Sequence, residues 1–289
     1  MIKRIASTLL ILSVATLNCL AQVKDSKIID NGGSGDYKAI AATEASLSDY
    51  VVYRPENLKA ATESEGPLPV LVFANGGCSD TSITHERVLS EIASHGYIVI
   101  AIGAMQRSLD DREINSTDAS MLTDAIDWIA DKNGDEESDY FGRADLDNIA
   151  SGGQSCGGAQ VLAVASDPRV ETYMMFNSVI GDMSMAGGTR ESLDDLHGPI
   201  VYIVGGPSDV ATANAELDYE RIDHVPVAFA NLLEGGHMGT FGEENGGSFS
   251  RISLHWLDWQ LKGKEESAEI FLEGGLSGFE GWTMKVKNF

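Results

Sequence analysis

Residues 152–158 read Gly152-Gly153-Gln154-Ser155-Cys156-Gly157-Gly158, and within them Gly153-Gln154-Ser155-Cys156-Gly157 fits the pattern G-x-S-x-G. The pattern carries meaning only where a strand runs into it and a helix leaves it. Both are expected here, with a short strand ending near Ala150 and a helix from Gly157 to Ala165. At such a bend the serine sits on a strained turn, and side chains at the flanking positions would collide with the elements on either side. Glycine fits there. The start of the helix also offers free N–H groups and a partial positive charge to an anion forming at the serine.

Working outward, Val70-Leu71-Val72-Phe73-Ala74 is an all-apolar run between Pro69 and Asn75-Gly76-Gly77. A strand apolar on both faces belongs inside a parallel sheet. Tyr97 to Ile102, Val170 to Phe176, Ile200 to Val204 and Val227 to Leu233 repeat the signal. Helical patterns lie between them: Thr84 to Ser94, a stretch around Met121 to Ile129 with Ser116 and Thr117 as N-cap candidates, and Phe249 to Leu261 closed by Lys262-Gly263. Two antiparallel strands, Tyr37 to Ala42 and Tyr50 to Arg54, precede them. Strands alternating with helices at this pitch give an α/β fold with a doubly wound, mostly parallel sheet.

The chain has 289 residues, 43% hydrophobic and 22% charged, enough to bury the core of one large domain. Its 31 glycines cluster at 152–153, 157–158, 205–206, 235–236 and 246–247, which points to tight turns. With 20 Lys and Arg against 44 Asp and Glu the formal charge is −24. That field repels polyanions and excludes a nucleic-acid role. No later stretch is long and apolar enough to be read as a membrane span.

Residues 1–21 read as an export signal: Lys3 and Arg4 lead an apolar run from Ile5 to Leu17, and Cys19-Leu20-Ala21 offers small residues for cleavage after Ala21. Asn18 is a poor neighbour for lipidation of Cys19. A secreted or periplasmic protein is expected. Residues 22–36 then read as a polar leader, 37–263 as the main domain, and 264–289 as an extension whose Phe271, Leu272, Trp282 and Val286 are expected to pack back on it.

A nucleophilic serine needs a base and an acid, in the chain order Ser, Asp or Glu, His. His237, in Leu233-Glu234-Gly235-Gly236-His237-Met238-Gly239, follows the last strand between glycines. The other histidines read as satisfied or solvated, with His85 and His95 on or at the end of a surface helix. Asp209 ends Gly205-Gly206-Pro207-Ser208-Asp209, a tight turn after Ile200–Val204. Asp182 is the rival acid.

With Ser155, Asp209, His237 and the loop Phe73-Ala74-Asn75-Gly76-Gly77-Cys78, the chain resembles the α/β-hydrolase superfamily over Tyr37 to Gly263. It is most similar to the compact branch of dienelactone-hydrolase-like, cutinase-like and platelet-activating-factor-acetylhydrolase-like serine esterases. The resemblance implies an oxyanion hole from the backbone N–H groups of Cys156 and of Gly77 or Cys78, with Asn75 in place of the family's common histidine. It implies ester hydrolysis through an acyl-enzyme with no cofactor and no metal, on an ester substrate that is small or polymeric. Nothing in the sequence marks an oligomer, and a monomer is expected.

If Cys78 and Cys156 flank one oxyanion hole, a disulfide between them is within reach. Two buried small thiols are the equal alternative. Cys156 is not read as the nucleophile, because Gln154 stands where its own elbow would need glycine. Phe176 to Ile200 leaves room for one helix and loops, so little or no cap is expected, and an open site. Within it Val179, Ile180, Met183 and Met185 read equally as acyl-pocket lining or core, and Trp256 and Trp282 as buried aromatics before ligand contacts. Two other functions stay open: a peptidase or amidase on the same fold, and a non-catalytic binding module. The presence of all three triad candidates disfavours the last.

Overall fold

A computed structural model describes residues 23–272, 274, 276 and 278–289; the expected export signal, residues 1–21, lies outside them. In chain order the strands and helices begin with β1 (Val23–Lys27), β2 (Ala39–Glu44), β3 (Leu47–Pro55), α1 (Leu58–Glu65), β4 (Leu68–Ala74), α2 (Glu86–Ser94), β5 (Ile98–Ile102) and α3 (Ser120–Gly134). There follow β6 (Ala144–Gln154), α4 (Cys156–Ala163), β7 (Val170–Phe176), β8 (Ile200–Val204) and α5 (Thr212–Arg221). The chain closes with β9 (Val227–Leu232), α6 (Gly247–Lys262), α7 (Glu265–Leu272) and β10 (Trp282–Lys287).

The strands form one ten-stranded sheet in the order β1-β2-β3-β5-β4-β6-β7-β8-β9-β10. The six from β5 to β9 in that order are parallel, and β1, β2, β3 and β10 pair antiparallel at the margins. Alternation along β4 explains its unbroken apolar run. Val70, Val72 and Ala74 face a core that takes in Leu58, Leu122, Ile126 and Leu162 from α1, α3 and α4. Leu71 and Phe73 face the opposite core, with Leu89, Ile92, Trp256, Leu257 and Phe271 from α2, α6 and α7. Trp256 and Trp282 are accordingly buried.

Several elements differ from the sequence reading. The segment 22–36, read as a leader, supplies the edge strand β1 and a 3-10 turn at Asp30–Gly32. Its residues VKDSK lack alternation because both faces are largely exposed. Residues 58–65, which the sequence pattern assigns to no element, form α1; Asn57 caps it by accepting the Ala60 N–H at 3.0 Å. Ser116 and Thr117 do not cap α3, which begins later behind Ala119. The C-terminal residues give α7 and a strand that pairs with β9, burying Phe271 and Trp282, but Leu272, grouped with them in the sequence, faces solvent at the end of α7.

The crossover pattern positions the site. From β4 the chain moves outward to β5, then returns to lay β6 on the other side of β4 and continues away through β7, β8 and β9. The order therefore reverses between β4 and β6. In open α/β sheets the crevice at the carboxyl ends of the strands at such a reversal is the usual ligand site. Between β7 and β8 the one helical element is a short 3-10 turn, Arg190–Asp195, and among the described residues no cap covers the crevice. Among the described residues no helix is long and apolar enough to cross a membrane.

Candidate active site

Ser155 stands between the end of β6 and the start of α4 with φ 53° and ψ −119°. A non-glycine residue in that region is strained, at a cost on the order of 1–3 kcal/mol, and such strain persists where packing fixes the turn. The packing here is backbone against backbone. A Cβ on Gly153 would lie 2.4 Å from the Gly157 carbonyl carbon, and one on Gly157 only 2.2 Å from the Ala74 carbonyl oxygen. The Ser155 N–H donates to the Phe176 carbonyl at 3.0 Å, and Ser178 Oγ donates to the Ser155 carbonyl at 2.6 Å.

The structure brings the three separated candidates together. His237 Nε2 lies 3.0 Å from Ser155 Oγ, and His237 Nδ1 lies 2.7 Å from Asp209 Oδ1. The imidazole is about one-third exposed, at 34%, whereas the carboxylate is fully enclosed. Burial pushes the Asp209 pKa up, but donation from His237, the Ala211 N–H, Asn177 and the Gly205 N–H outweighs it and holds the group below the ordinary carboxylate range. The two loops that carry acid and base touch through their glycines. The Gly236 N–H donates to the Gly205 carbonyl at 2.7 Å, and a Cβ on Gly205 would lie 1.9 Å from the Gly236 oxygen.

Two amide side chains complete this arrangement, and the sequence reading missed both. Asn177, left-handed at φ 43°, donates to Asp209 Oδ2 at 2.8 Å and to the Gly236 carbonyl at 3.1 Å. The sequence signal for it was an asparagine directly after a buried strand, a residue that tolerates that conformation. Gln154 donates to the His237 carbonyl at 3.1 Å. The rival acid Asp182 is out of reach, exposed and paired with Arg221 at 2.7 Å. His85 is not on a surface: it is 1% exposed, its ring packed on Phe73 and Phe241, and burial pulls its pKa down to about 4.

Beside the elbow, β4 ends in the 3-10 turn Gly76–Cys78, with Gly77 at φ 65° and Cys78 at φ 49°. The first N–H groups of a helical turn have no partner within it, which leaves the Gly77 N–H as a free donor beside that of Cys156 at the start of α4. Asn75, fully buried, pins the base of the turn by donating to the Ser79 and Ile102 carbonyls at 3.0 and 2.7 Å. A disulfide joins Cys78 to Cys156, with Cα atoms 5.1 Å apart.

A strap, residues 112–117, holds the turn from outside. The Thr117 N–H and hydroxyl both donate to the Cys78 carbonyl at 2.9 Å. Arg112 and the Asn115 N–H bond the Asp80 carboxylate at 2.6 and 2.9 Å, and Gln160 of α4 donates to the Thr117 carbonyl at 2.8 Å. Burial raises the Asp80 pKa, but the bonds from Arg112 and Asn115 prevail and lower it.

Next to Ser155 and His237 lies a cleft of about 270 Å³, lined by Asn177, Ser178, Val179, Met183, Met185, Val210, Ala211 and Asn214. Ile180, grouped with Val179 and the methionines in the sequence, is wholly buried in the core and does not line it. Among the described residues no cluster of three His, Cys, Asp or Glu side chains is placed to hold a metal ion.

A family model described as Chlorophyllase matches residues 33–197. The match takes in the Gly76–Cys78 turn and Ser155 and ends before Asp209 and His237. No curated protein matches the chain at a significant level.

Proposed function

The chain belongs to the chlorophyllase family, a class of carboxylic-ester hydrolases on the α/β-hydrolase fold, and on that premise we propose that it is an exported serine esterase whose catalytic triad is Ser155, His237 and Asp209. The observation that carries the proposal is the continuous pair of contacts from Ser155 Oγ through both ring nitrogens of His237, 3.0 and 2.7 Å, to the enclosed Asp209 carboxylate. A serine beside an imidazole whose far nitrogen faces a carboxylate can lose its proton as it attacks.

In this reading Ser155 Oγ adds to the ester carbonyl carbon while His237 Nε2 takes its proton. The carbonyl oxygen becomes an oxyanion facing the Cys156 and Gly77 N–H groups, each such donor stabilising it by about 3 kcal/mol. The C–O bond to the alcohol then breaks, with His237 returning the proton to the leaving oxygen. Water, deprotonated by the same imidazole, releases the acyl group and regenerates Ser155.

The shape of the site supports a substrate larger than its cleft. At about 270 Å³ the cleft is smaller than the ~300–1,000 Å³ pockets that engulf drug-sized ligands. Met183 and Val210 in its wall and Met238 beside His237 are exposed apolar side chains. A short arm of the ester enters the cleft, and the bulk of a large or polymeric substrate rests on this uncapped surface, as in the compact lidless esterases. The charge of −24 favours an uncharged or cationic substrate.

Export, with cleavage after Ala21, is proposed from residues 1–21. The Cys78–Cys156 disulfide supports it, since such bonds persist in oxidising compartments. The test of function is hydrolysis of a p-nitrophenyl ester series from acetate to dodecanoate by wild type and Ser155→Ala. Loss of about 10⁶-fold in kcat is expected, by analogy with removal of a nucleophile from a serine protease triad. An unchanged rate removes Ser155 from the mechanism.

A further inference from the structure

The two loops that offer oxyanion donors leave adjacent strands, β4 and β6, whose last paired residues are Ala74 and Gly153. Each loop then carries a non-glycine residue in a disfavoured backbone region, Cys78 at φ 49° and Ser155 at φ 53°. Such conformations hold only where the surroundings over-determine them. The elbow has its own anchors in the Phe176 carbonyl and Ser178. The Gly76–Cys78 turn is held by Asn75 from below and the 112–117 strap from outside. Of those anchors only the strap reaches the elbow's helix, indirectly, through Gln160 on Thr117. Among the described residues, the one bonded link between residues 76–79 and residues 155–158 is the disulfide.

We propose that the Cys78–Cys156 disulfide is a positioning element of the oxyanion hole: it holds the Gly77 and Cys156 N–H groups toward one point, and cleaving it lowers turnover while substrate binding and fold persist. The inference rests on the serine-esterase reading above and adds its regulation. The bridged residues are themselves Cys156, whose N–H is one donor, and Cys78, which directly follows the other, so any slack in the link reaches the donors without passing through a third residue. Oxyanion stabilisation demands donors near 3 Å from an atom charged only in the transition state. Substrate binding in the Val179–Met185 cleft makes no such demand. A chain held reduced, as before export, is therefore folded but a poor esterase, and oxidation switches it on.

The test compares wild type, dithiothreitol-reduced wild type, and the Cys78→Ala/Cys156→Ala variant on p-nitrophenyl butyrate, with Ser155→Ala as control. On reduction the S–S bond breaks, each sulfur takes up one proton, and the dithiol loses two electrons and two protons in closing to its cyclic disulfide. Thiol titration verifies the step and circular dichroism verifies the fold. The expected result is a fall in kcat of about 10²-fold, the cost of misplacing or losing one donor, with KM within a few-fold. Affinity for an alkyl boronic acid, which mimics the tetrahedral oxyanion, falls in step, while affinity for butyrate does not.

Reoxidation restores turnover; if the double variant does not fold, this reduction–reoxidation cycle on the native chain decides alone. If reduced enzyme keeps its kcat, or if KM and butyrate affinity weaken as much as kcat, the positioning role is wrong and the bond only staples the fold. If wild type shows no Ser155-dependent hydrolysis at all, it is the esterase reading that fails, and the positioning role falls with it.

Discussion

Replacing Asp209 with asparagine preserves the side chain's shape and reverses the sense of one atom. Every group around the carboxylate donates: His237 Nδ1 and the Ala211 N–H to Oδ1 at 2.7 and 3.0 Å, Asn177 Nδ2 and the Gly205 N–H to Oδ2 at 2.8 and 3.0 Å. An amide has only one acceptor oxygen, so its NH₂ must face two of these donors. If the NH₂ lies at the Oδ2 position it confronts the immobile Gly205 N–H. Asn177 can flip to present its Oδ1, which has no partner, but then forfeits its bond to the Gly236 carbonyl. If the NH₂ lies at the Oδ1 position, only the Ala211 N–H is opposed, and His237 adapts by accepting at Nδ1.

The second arrangement keeps one more hydrogen bond, worth about 1 kcal/mol. It also moves the imidazole proton to Nε2, where it points at Ser155 Oγ and leaves no base. The expected loss in kcat for Asp209→Asn is therefore about 10⁴-fold, the cost of the wrong tautomer in serine proteases, equivalent to about 5 kcal/mol. Steady-state hydrolysis of p-nitrophenyl butyrate against pH is the assay, with KM expected to change little. A variant within about tenfold of wild type at neutral pH would refute the tautomer argument. The wild-type pKa of Asp209 lies below the ordinary range, so its ionised form adds stability above that range. That contribution is lost only as pH falls through the depressed value in strong acid.

Three further outcomes follow from local contacts. Asp218 accepts the Ile180 and Gly181 N–H groups at 2.8 and 2.9 Å, and burial pushes its carboxyl up to about 6. The native state thus holds this proton more tightly than the unfolded chain, so unfolding free energy should fall by about 3 kcal/mol as pH rises from about 4 to about 6, and the decline should vanish in Asp218→Asn when urea unfolding is measured across that range. Gly157→Ala drives a methyl 2.2 Å from the Ala74 oxygen and 2.8 Å from the Asn75 oxygen. Backbone cannot yield as a side chain can, so kcat should drop about 10²-fold with the elbow displaced. Gly134→Ala, which meets nothing within 4 Å, should leave turnover unchanged and raise stability by about 0.5–1 kcal/mol in a thermal melt.

What the sequence made legible follows burial. β7 and β8 appear with the boundaries read from their apolar runs, because a strand enclosed on both faces has little freedom of composition. β1 did not, since an edge strand with exposed faces carries no pattern. The first half of β6, Ala-Asp-Leu-Asp-Asn, is similarly half exposed and hid the strand's full length. Within the site, Ser155, Asp209 and His237 stood out because each sits in a glycine-marked turn after a strand. Asn177 and Gln154 did not, because an amide's role depends on partners 32 and 83 positions away. His85 was misplaced for the same reason: a helix-start histidine gives no local sign that Phe241 will close over it.

The two outermost strands are among the most lysine-marked in the sheet, Lys24 and Lys27 on β1 and Lys285 and Lys287 on β10. Four of only 20 basic residues in the chain thus lie on the two outermost of the described strands, whose outer edges pair with no other described strand. An unpaired strand edge is a template for another copy's backbone, and such docking would desolvate the exposed ammonium groups of Lys24 and Lys285, whereas the less exposed Lys27 and Lys287 are held in ion pairs with Glu86 and Asp223. Colloidal stability then has two independent sources. Repulsion from the net charge of −24 is screened as salt rises. The rim lysines oppose sheet-to-sheet fusion by a contact penalty that outlasts that screening, and so guard a crowded or saline solution where bulk charge no longer does.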